Sequence, residues 1–247
     1  MRRVFLAALA FGCILVGCGG SGNTGVTNVP DPAVAFINAS PNSTALDVFL
    51  NDFQLGKKVG YLSASPLAAG VLNFPTYEQN LYDMSVAENA DPETQAIETA
   101  TFNKDTSSLV VAIGLVTPPS TELDKRLRPV QIQFDRKQPN GNQARIIVIH
   151  AYNRSLGNDN PNLDFQNPGD NPTIKLTNIA FAGAVGQLID AGAQTFVARR
   201  NGSELEVTPQ TTFTFGAGKI YAAIISGIEG GTGIQAPQIK FIEIQPK

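Results

Sequence analysis

The apolar positions of this chain either alternate with polar ones or form short unbroken runs, and both patterns specify strands. Val130-Gln131-Ile132-Gln133-Phe134-Asp135 alternates with period two, as do residues 238–241 and 203–208. Residues 109–113 (LVVAI) and 145–149 (RIIVI) are continuous apolar runs rich in Val and Ile, a composition suited to strands covered on both faces. The separators are turn chemistry: Asn201-Gly202, Gly216-Ala217-Gly218 and Asn51-Asp52. Residues 94–102 and 180–189 come nearest to a helical period, and neither sustains it over three turns. The pattern predicts an all-β protein, with antiparallel sandwich architecture and Greek-key connections.

The pattern is also written twice, at a spacing of about 110 residues. Ala33-Val34-Ala35-Phe36-Ile37-Asn38-Ala39 matches Arg145-Ile146-Ile147-Val148-Ile149-His150-Ala151 in apolar character, and Leu46-Asp47-Val48-Phe49 is echoed by Leu163-Asp164-Phe165. Residues 82–87, 109–115 and 129–134 find counterparts, in the same order, at 194–199, 220–228 and 237–241. The expected units are residues 31–138 and 143–247, joined at Gln138-Pro139-Asn140-Gly141-Asn142. A unit of ~105 residues buries roughly two-thirds of its unfolded surface, so each is expected to stand as a domain.

The start of the chain reads as an address. Met1-Arg2-Arg3 is basic, and residues 4–17 (VFLAALAFGCILVG) form an apolar run of 14, the length of a signal-peptide core and short for a membrane span. Leu15-Val16-Gly17-Cys18 resembles a bacterial lipobox, which makes residues 1–17 a lipoprotein signal peptide and Cys18 the lipidated mature N-terminus. Residues 18–30 then form the lipidated Cys and a Gly-rich tether with a reach of roughly 20 Å. Each buried methylene of an acyl chain adds ~0.8 kcal/mol, so two or three chains hold a protein on a membrane where one is marginal. Gly19 after the Cys favours the outer membrane in a host that has two. Both cysteines, Cys13 and Cys18, lie in this segment, so the remainder of the chain has no disulfide or thiolate chemistry.

Charged residues make up 16% of the chain, against roughly 25% in typical soluble domains, and the net charge is -3. A mildly acidic chain is poorly suited to neutralising phosphates, so nucleic acid is not an expected partner.

Ala33-Val34-Ala35-Phe36-Ile37-Asn38-Ala39-Ser40-Pro41, followed by Ala45-Leu46-Asp47-Val48-Phe49-Leu50-Asn51-Asp52, resembles the opening of the family named domain of unknown function 4397. That pattern is V-x-(V/F)-x-(H/N)-A-S-P, then (L/V)-D-V-(Y/F)-(V/L)-(N/D)-G. The resemblance extends over residues 31–247, with Tyr152-Asn153 standing where the pattern has Ser-Pro. It implies two tandem antiparallel immunoglobulin-like β-sandwich domains related by internal duplication, in a secreted protein or lipoprotein of the bacterial envelope. It implies no catalytic residue.

Candidate chemistry is sparse. His150 is the one histidine, and at the end of an apolar run it fits a hydrogen-bonding strand end better than a ligand or a base. Asp47 and Asp164 occupy equivalent places in the two repeats. They are expected to hold turns or strand edges, the alternative being a glycosidase pair, which needs carboxylates about 5–9 Å apart. The Asn/Asp-rich stretches 158–164 and 167–171 offer calcium-type oxygens without calcium-loop spacing. Lys125-Arg126-Leu127-Arg128 is a basic cluster suited to an anionic surface or a solvated loop, and residues 227–233 read as a glycine-rich hairpin loop. Between matched landmarks the second repeat is five residues longer, in residues 153–162. Loop insertions cost little and are where recognition is placed. The expected binding residues are Tyr152, as an aromatic platform, with Asn153, Asn158, Asp159, Asn160 and Asn162 for a glycan or a surface protein. The function expected is non-enzymatic and without cofactor or metal: binding, adhesion or spacing by a protein held on the membrane through its N-terminal lipid. The competing reading is a carbohydrate-acting hydrolase of the envelope.

Overall fold

The computed structural model describes residues 29–88, 91–117, 125–154 and 159–247. The first half comprises β1 (Ala33–Asn38), β2 (Ala45–Leu50), β3 (Phe53–Gly60), β4 (Ser63–Ser65), β5 (Leu67–Ala68), β6 (Val71–Leu72), β7 (Asn80–Glu88), β8 (Asp91–Phe102), β9 (Ser107–Ile113) and β10 (Arg128–Phe134). The second comprises β11 (Gln143–Asn153), β12 (Leu163–Gln166), β13 (Lys175–Ile179), β14 (Ala184–Asp190), β15 (Gly192–Arg200), β16 (Thr211–Phe215), β17 (Ile220–Ile228) and β18 (Gln238–Ile244). Among the described residues there is no α-helix, and Gly233–Gln235 forms a 3-10 turn. The two segments with a partial helical period lie in β8 and in β14 with the turn leading into it.

The first half folds into an outer sheet, β3-β2-β7-β8, and an inner sheet, β4-β1-β9-β10. The second half repeats this order, with β13-β12-β15-β16 outside and β14-β11-β17-β18 inside. Most pairs are antiparallel, as expected, but β1 with β9 and β11 with β17 run parallel at the centre of each inner sheet. The inner sheets are therefore mixed rather than purely antiparallel. The chain leaves β1 or β11 for the outer sheet and returns from it in the original direction, which a crossover through a second layer permits and a hairpin does not.

Three apolar layers separate four sheets. Val34, Phe36 and Val110 pack inside the first half against Leu46, Val48, Met84 and Phe102. Ile146, Val148 and Tyr221 pack inside the second against Phe165, Phe196 and Phe215. The middle layer joins the halves: Ala35, Ile37, Val111 and Ile113 of the first meet Ile147, Ile149, Ile224 and Ile244 of the second. Successive residues of a strand point to opposite faces, so β1, β9, β11 and β17 place one side-chain set in their own sandwich and the other in the shared layer. That is why β1 and β9 are buried at every position and read as unbroken apolar runs.

Polar and main-chain contacts fasten the same interface. The β5–β6 hairpin of the first half extends the second half's inner sheet, Leu72 pairing in parallel with Ile244. The Tyr61 hydroxyl donates to Ser226 Oγ at 3.0 Å, and Ser226 Oγ donates to the Ala39 carbonyl at 2.8 Å. Buried Arg136 donates from Nε to Ser107 Oγ at 2.8 Å and from Nη1 to the Gln245 carbonyl at 3.3 Å, its guanidinium 4.5 Å from the Phe74 ring centre. Burial lowers the Arg136 pKa.

Residues 138–142, the expected junction, lie between β10 and β11. The expectation that each half stands alone, however, meets a shared core. A separated half exposes a full sheet face of Val, Ile and Ala, at a cost of about 1.5–3 kcal/mol for each large apolar side chain uncovered. Residues 29–138 or 143–247 expressed alone should therefore bind a hydrophobic dye and self-associate. Mixing the two fragments should quench the dye signal. Soluble, dye-free fragments would show the shared layer to be dispensable.

Candidate functional site

The polar residues singled out in the sequence fall at strand ends, where they hold the backbone. Asn38 ends β1: its Oδ1 accepts the Ser40 N–H at 3.0 Å, and its Nδ2 donates to Ser43 Oγ at 2.9 Å and to the Val59 carbonyl at 3.0 Å. His150 does the equivalent in β11. Its Nδ1 accepts the Tyr152 N–H at 3.2 Å, and its Nε2 donates to the Pro161 carbonyl at 2.8 Å. These two bonds fix the neutral Nε2–H tautomer. The ring is fully buried, edge-on to Phe181 at 5.5 Å, and burial lowers its pKa to about 4 against a smaller opposing effect of the Pro161 carbonyl.

Asp47 and Asp164 also share one role. Asp47 Oδ1 accepts the Lys58 N–H at 2.7 Å, and Asp164 Oδ1 accepts the Asn178 N–H at 2.9 Å and Asn201 Nδ2 at 2.7 Å. Lys58 and Asn178 have φ of 50° and 59°, in the left-handed region, and the strand register slips beside both aspartates. Each carboxylate thus secures the amide of a bulge whose backbone is intrinsically unfavourable. The two lie in the two outer sheets, with both inner sheets between them, so they do not share a cleft.

The expected platform residue is not on the surface. Tyr152 is 2% exposed because β11 continues through Asn153 and keeps Tyr152 on the same inward face as Ile146 and Val148. Around it stand Arg154, Arg200 and Glu229. The Glu229 carboxylate pairs with Arg200 Nη2 and lies 3.5 Å from Arg154 Nε. Burial raises the Tyr152 pKa, Glu229 adds to the rise, and Arg200 and Arg154 oppose it. Arg200 and Glu229 carried no signal in the sequence. They reach Tyr152 only through strand pairing, which sets Asn153 beside Ile228 and Leu163 beside Arg200.

Asn153 is fully buried, with Nδ2 donating to the Ala151 carbonyl at 3.0 Å and Oδ1 left without a partner. Asn160 Oδ1 accepts the Arg154 N–H at 2.8 Å and closes the loop. Asn162 Nδ2 donates to Asn178 Oδ1 at 2.7 Å, and Asp159 is exposed. Asn158 and Cys18 lie outside the described residues. The structure thus gathers Tyr152, Asn153, Asn160 and Asn162 at one end of the second half, but with most of their polar atoms already committed.

The remaining sequence features are structural. Asn167 Oδ1 accepts Thr173 Oγ1 and the Ile174 N–H, both at 2.9 Å, closing the second Asn/Asp-rich loop on itself. Among the described residues no group of three or more His, Cys, Asp or Glu side chains is placed to hold a metal. Lys125-Arg126-Leu127-Arg128 does not form one exposed basic face. Lys125 is 2% exposed with Nζ 3.4 Å from the Arg154 carbonyl, Leu127 belongs to the core, and Arg128 lies over the Phe181 ring. Residues 227–233 run from the end of β17 through a turn to the start of the 3-10 turn that precedes β18.

The family model described as domain of unknown function (DUF4397) matches residues 32–166, from the start of β1 through β12. The chain belongs to this family. No curated protein matches it. Among solved structures, the Bacillus anthracis TIE protein is 8% identical with a TM-score of 0.25, over 80% of this chain and 34% of that one. The chain thus spans about a third of that relative. A proposed cell adhesion protein from Bacteroides uniformis is 8% identical with a TM-score of 0.25, covering 85% of this chain and 96% of that one. Another from Bacteroides ovatus is 7% identical with a TM-score of 0.23, covering 87% and 96%. Similarity at these scores carries no argument about function.

Two predictions follow from the strand ends. The folded state keeps His150 neutral down to about pH 4, whereas the unfolded chain protonates it near pH 6.5. Its contribution is therefore intact above pH 6.5 and is lost as the pH falls toward 4, by a total of roughly 3 kcal/mol. His150→Asn, which copies the Asn38 solution, should flatten the fall in urea-unfolding free energy between pH 6.5 and 4. An unchanged slope would refute the assignment. Asp164→Ala should cost about 1–3 kcal/mol by removing the buried acceptor of the Asn178 amide and the Asn201 side chain, and Asp47→Ala less, since Asp47 is the more exposed.

Proposed function

We propose that this chain is a lipid-anchored protein of the bacterial cell envelope that works by binding, adhesion or spacing, without catalysis, cofactor or metal. Its anchor is Cys18, released as the mature N-terminus by cleavage after Gly17, and its membrane is the outer one where the host has two. Its body is a pair of immunoglobulin-like β-sandwich units that arose by duplication of one unit. Support for the duplication is the repetition of strand order together with matched details. Asn38 pairs with His150 and Asp47 with Asp164, and Gly114 pairs with Gly227. At both glycines φ is positive (84° and 124°) and a Cβ would fall within 2.5 Å of main-chain atoms.

The observation that carries the non-catalytic reading is the use to which the reactive side chains are put. Both ring nitrogens of His150 and the Oδ1 atoms of Asp47 and Asp164 hold backbone amides or carbonyls of their own half, and Asp164 Oδ1 also accepts from Asn201 Nδ2. A glycosidase needs its carboxylates flanking one bond, and here two sheets intervene between Asp47 and Asp164. Recognition of a surface protein or a glycan is assigned to the end of the second half, at the loop after β11, where Asp159 is exposed. Tyr152, buried in the core at the end of β11, does not stack on a ligand in this reading.

Metabolic labelling with a clickable fatty acid should mark the wild type and not Cys18→Ala. Equal labelling of both would refute the anchor. Crosslinking on intact cells with the lipidated protein tests recognition. Replacing residues 155–159 by Gly and Ser, which keeps the Asn160 and Pro161 acceptors, should abolish partner capture while leaving the thermal midpoint nearly unchanged. Undiminished capture would remove the loop as the site.

A further inference from the structure

The inner sheet of the second half ends at β14, which pairs with β11 alone. Two main-chain bonds at its ends fix which of its groups are spent. His150 N–H donates to the Gly183 carbonyl and Ala191 N–H to the Asn142 carbonyl, so the odd-numbered residues of β14 face β11. Antiparallel pairs alternate strictly. The amides and carbonyls of Ala184, Gly186, Leu188 and Asp190 therefore point away from the sheet.

Proteins usually blunt such edges with lysines, prolines, bulges or short strands. Several edges here are treated that way. β3 carries Lys57 and Lys58 beside its bulge, β13 carries Lys175 and a bulge, β10 carries Arg128 and Pro129, and β4 has three residues. β14 has seven residues, Ala-Val-Gly-Gln-Leu-Ile-Asp, with its single charge at the last position. Val185 and Leu188 on this strand are 36% and 43% exposed. Beside it runs a groove in two adjoining parts of about 300 and 410 Å³, bounded by Gln133 and Phe134 of β10 and by Ile147 and Gly186.

We propose that β14 is the interface between two copies of this chain, which join edge to edge in antiparallel register about Gln187. The strand is complementary to itself in that register and pairs over its whole length. Ala184 meets Asp190 and Gly186 meets Leu188, so all four outward-pointing residues exchange hydrogen bonds with their counterparts. Gly186 lacks a side chain where the second copy's leucine arrives, on the face turned toward the groove, and Val185 lies beside the second copy's Ile189. Gln187 faces its own counterpart, and two primary amides donate to and accept from each other. A two-fold interface requires such self-complementarity. The joined sheet then has no free edge at this side.

The register makes a specific demand. Gln187 falls in a non-hydrogen-bonded pair, whose Cα atoms lie about 4.5 Å apart, within the ~4.4–6.8 Å that a disulfide spans. Val185 lies four residues from its own counterpart, about 13 Å away at strand rise. In the full-length chain extracted from membranes, Gln187→Cys should give a disulfide-linked dimer on non-reducing gels, well above the level of wild type and of Val185→Cys. Adding Leu188→Lys should cut that dimer at least tenfold, and Leu188→Lys alone should halve the protein mass measured by light scattering. Gly186→Lys, which has space for a side chain, should do the same if Leu188→Lys folds poorly. A monomeric wild type, equal crosslinking at positions 185 and 187, or no excess of dimer in Gln187→Cys would each overturn the proposal.

Discussion

The middle apolar layer is the constraint on which the other features depend. Two inner sheets meet face to face through Ile37, Val111, Ile113, Ile147, Ile149 and Ile224, residues that are all nearly or wholly inaccessible to water. Their strands have no solvent side, which demands aliphatic residues at successive positions and makes any polar group on them expensive unless it is bonded. The outer sheets carry the opposite condition. β2 alternates buried with half-buried positions, and β13 mixes buried with exposed ones, because one face of each meets water.

Where those apolar strands end, the chain must turn without orphaning amides, and this is where the polar residues gather. Asn38 and His150 solve one problem with different chemistry, each offering an acceptor to the amide two residues on and a donor to a distant carbonyl. The histidine version adds a cost in acid that the asparagine version lacks. Asp47 and Asp164 secure the left-handed residues of their neighbouring bulged strands. Residues that elsewhere serve as bases, nucleophiles or ligands are here part of the scaffold.

Much of this was legible in the residues. Period-two and unbroken apolar runs identified strands, and the doubled order of landmarks anticipated the doubled strand order. The runs at 109–113 and 145–149 announced coverage on both faces, but an apolar residue does not say what covers it. The interior of one sandwich and the seam between two draw on the same Val and Ile. Strand direction was equally silent, so the parallel pairs β1–β9 and β11–β17 emerged only with the topology. Tyr152 illustrates a signal that was present. It continues the even-numbered face of Ile146 and Val148, and that parity, carried four residues beyond Val148, places its ring inward. Arg200 and Glu229 had no such signal, because non-local pairing alone brings them to Tyr152.

The central claim is that both halves fold as one unit around the shared layer. Native-state hydrogen exchange measures this directly, since it reports the opening free energy of each buried amide. Amides of β1 and β9 and those of β11 and β17 should exchange with a common free energy, equal to that of global unfolding. Amides of one half exchanging at a distinctly lower free energy, while those of the other stay protected, would contradict it.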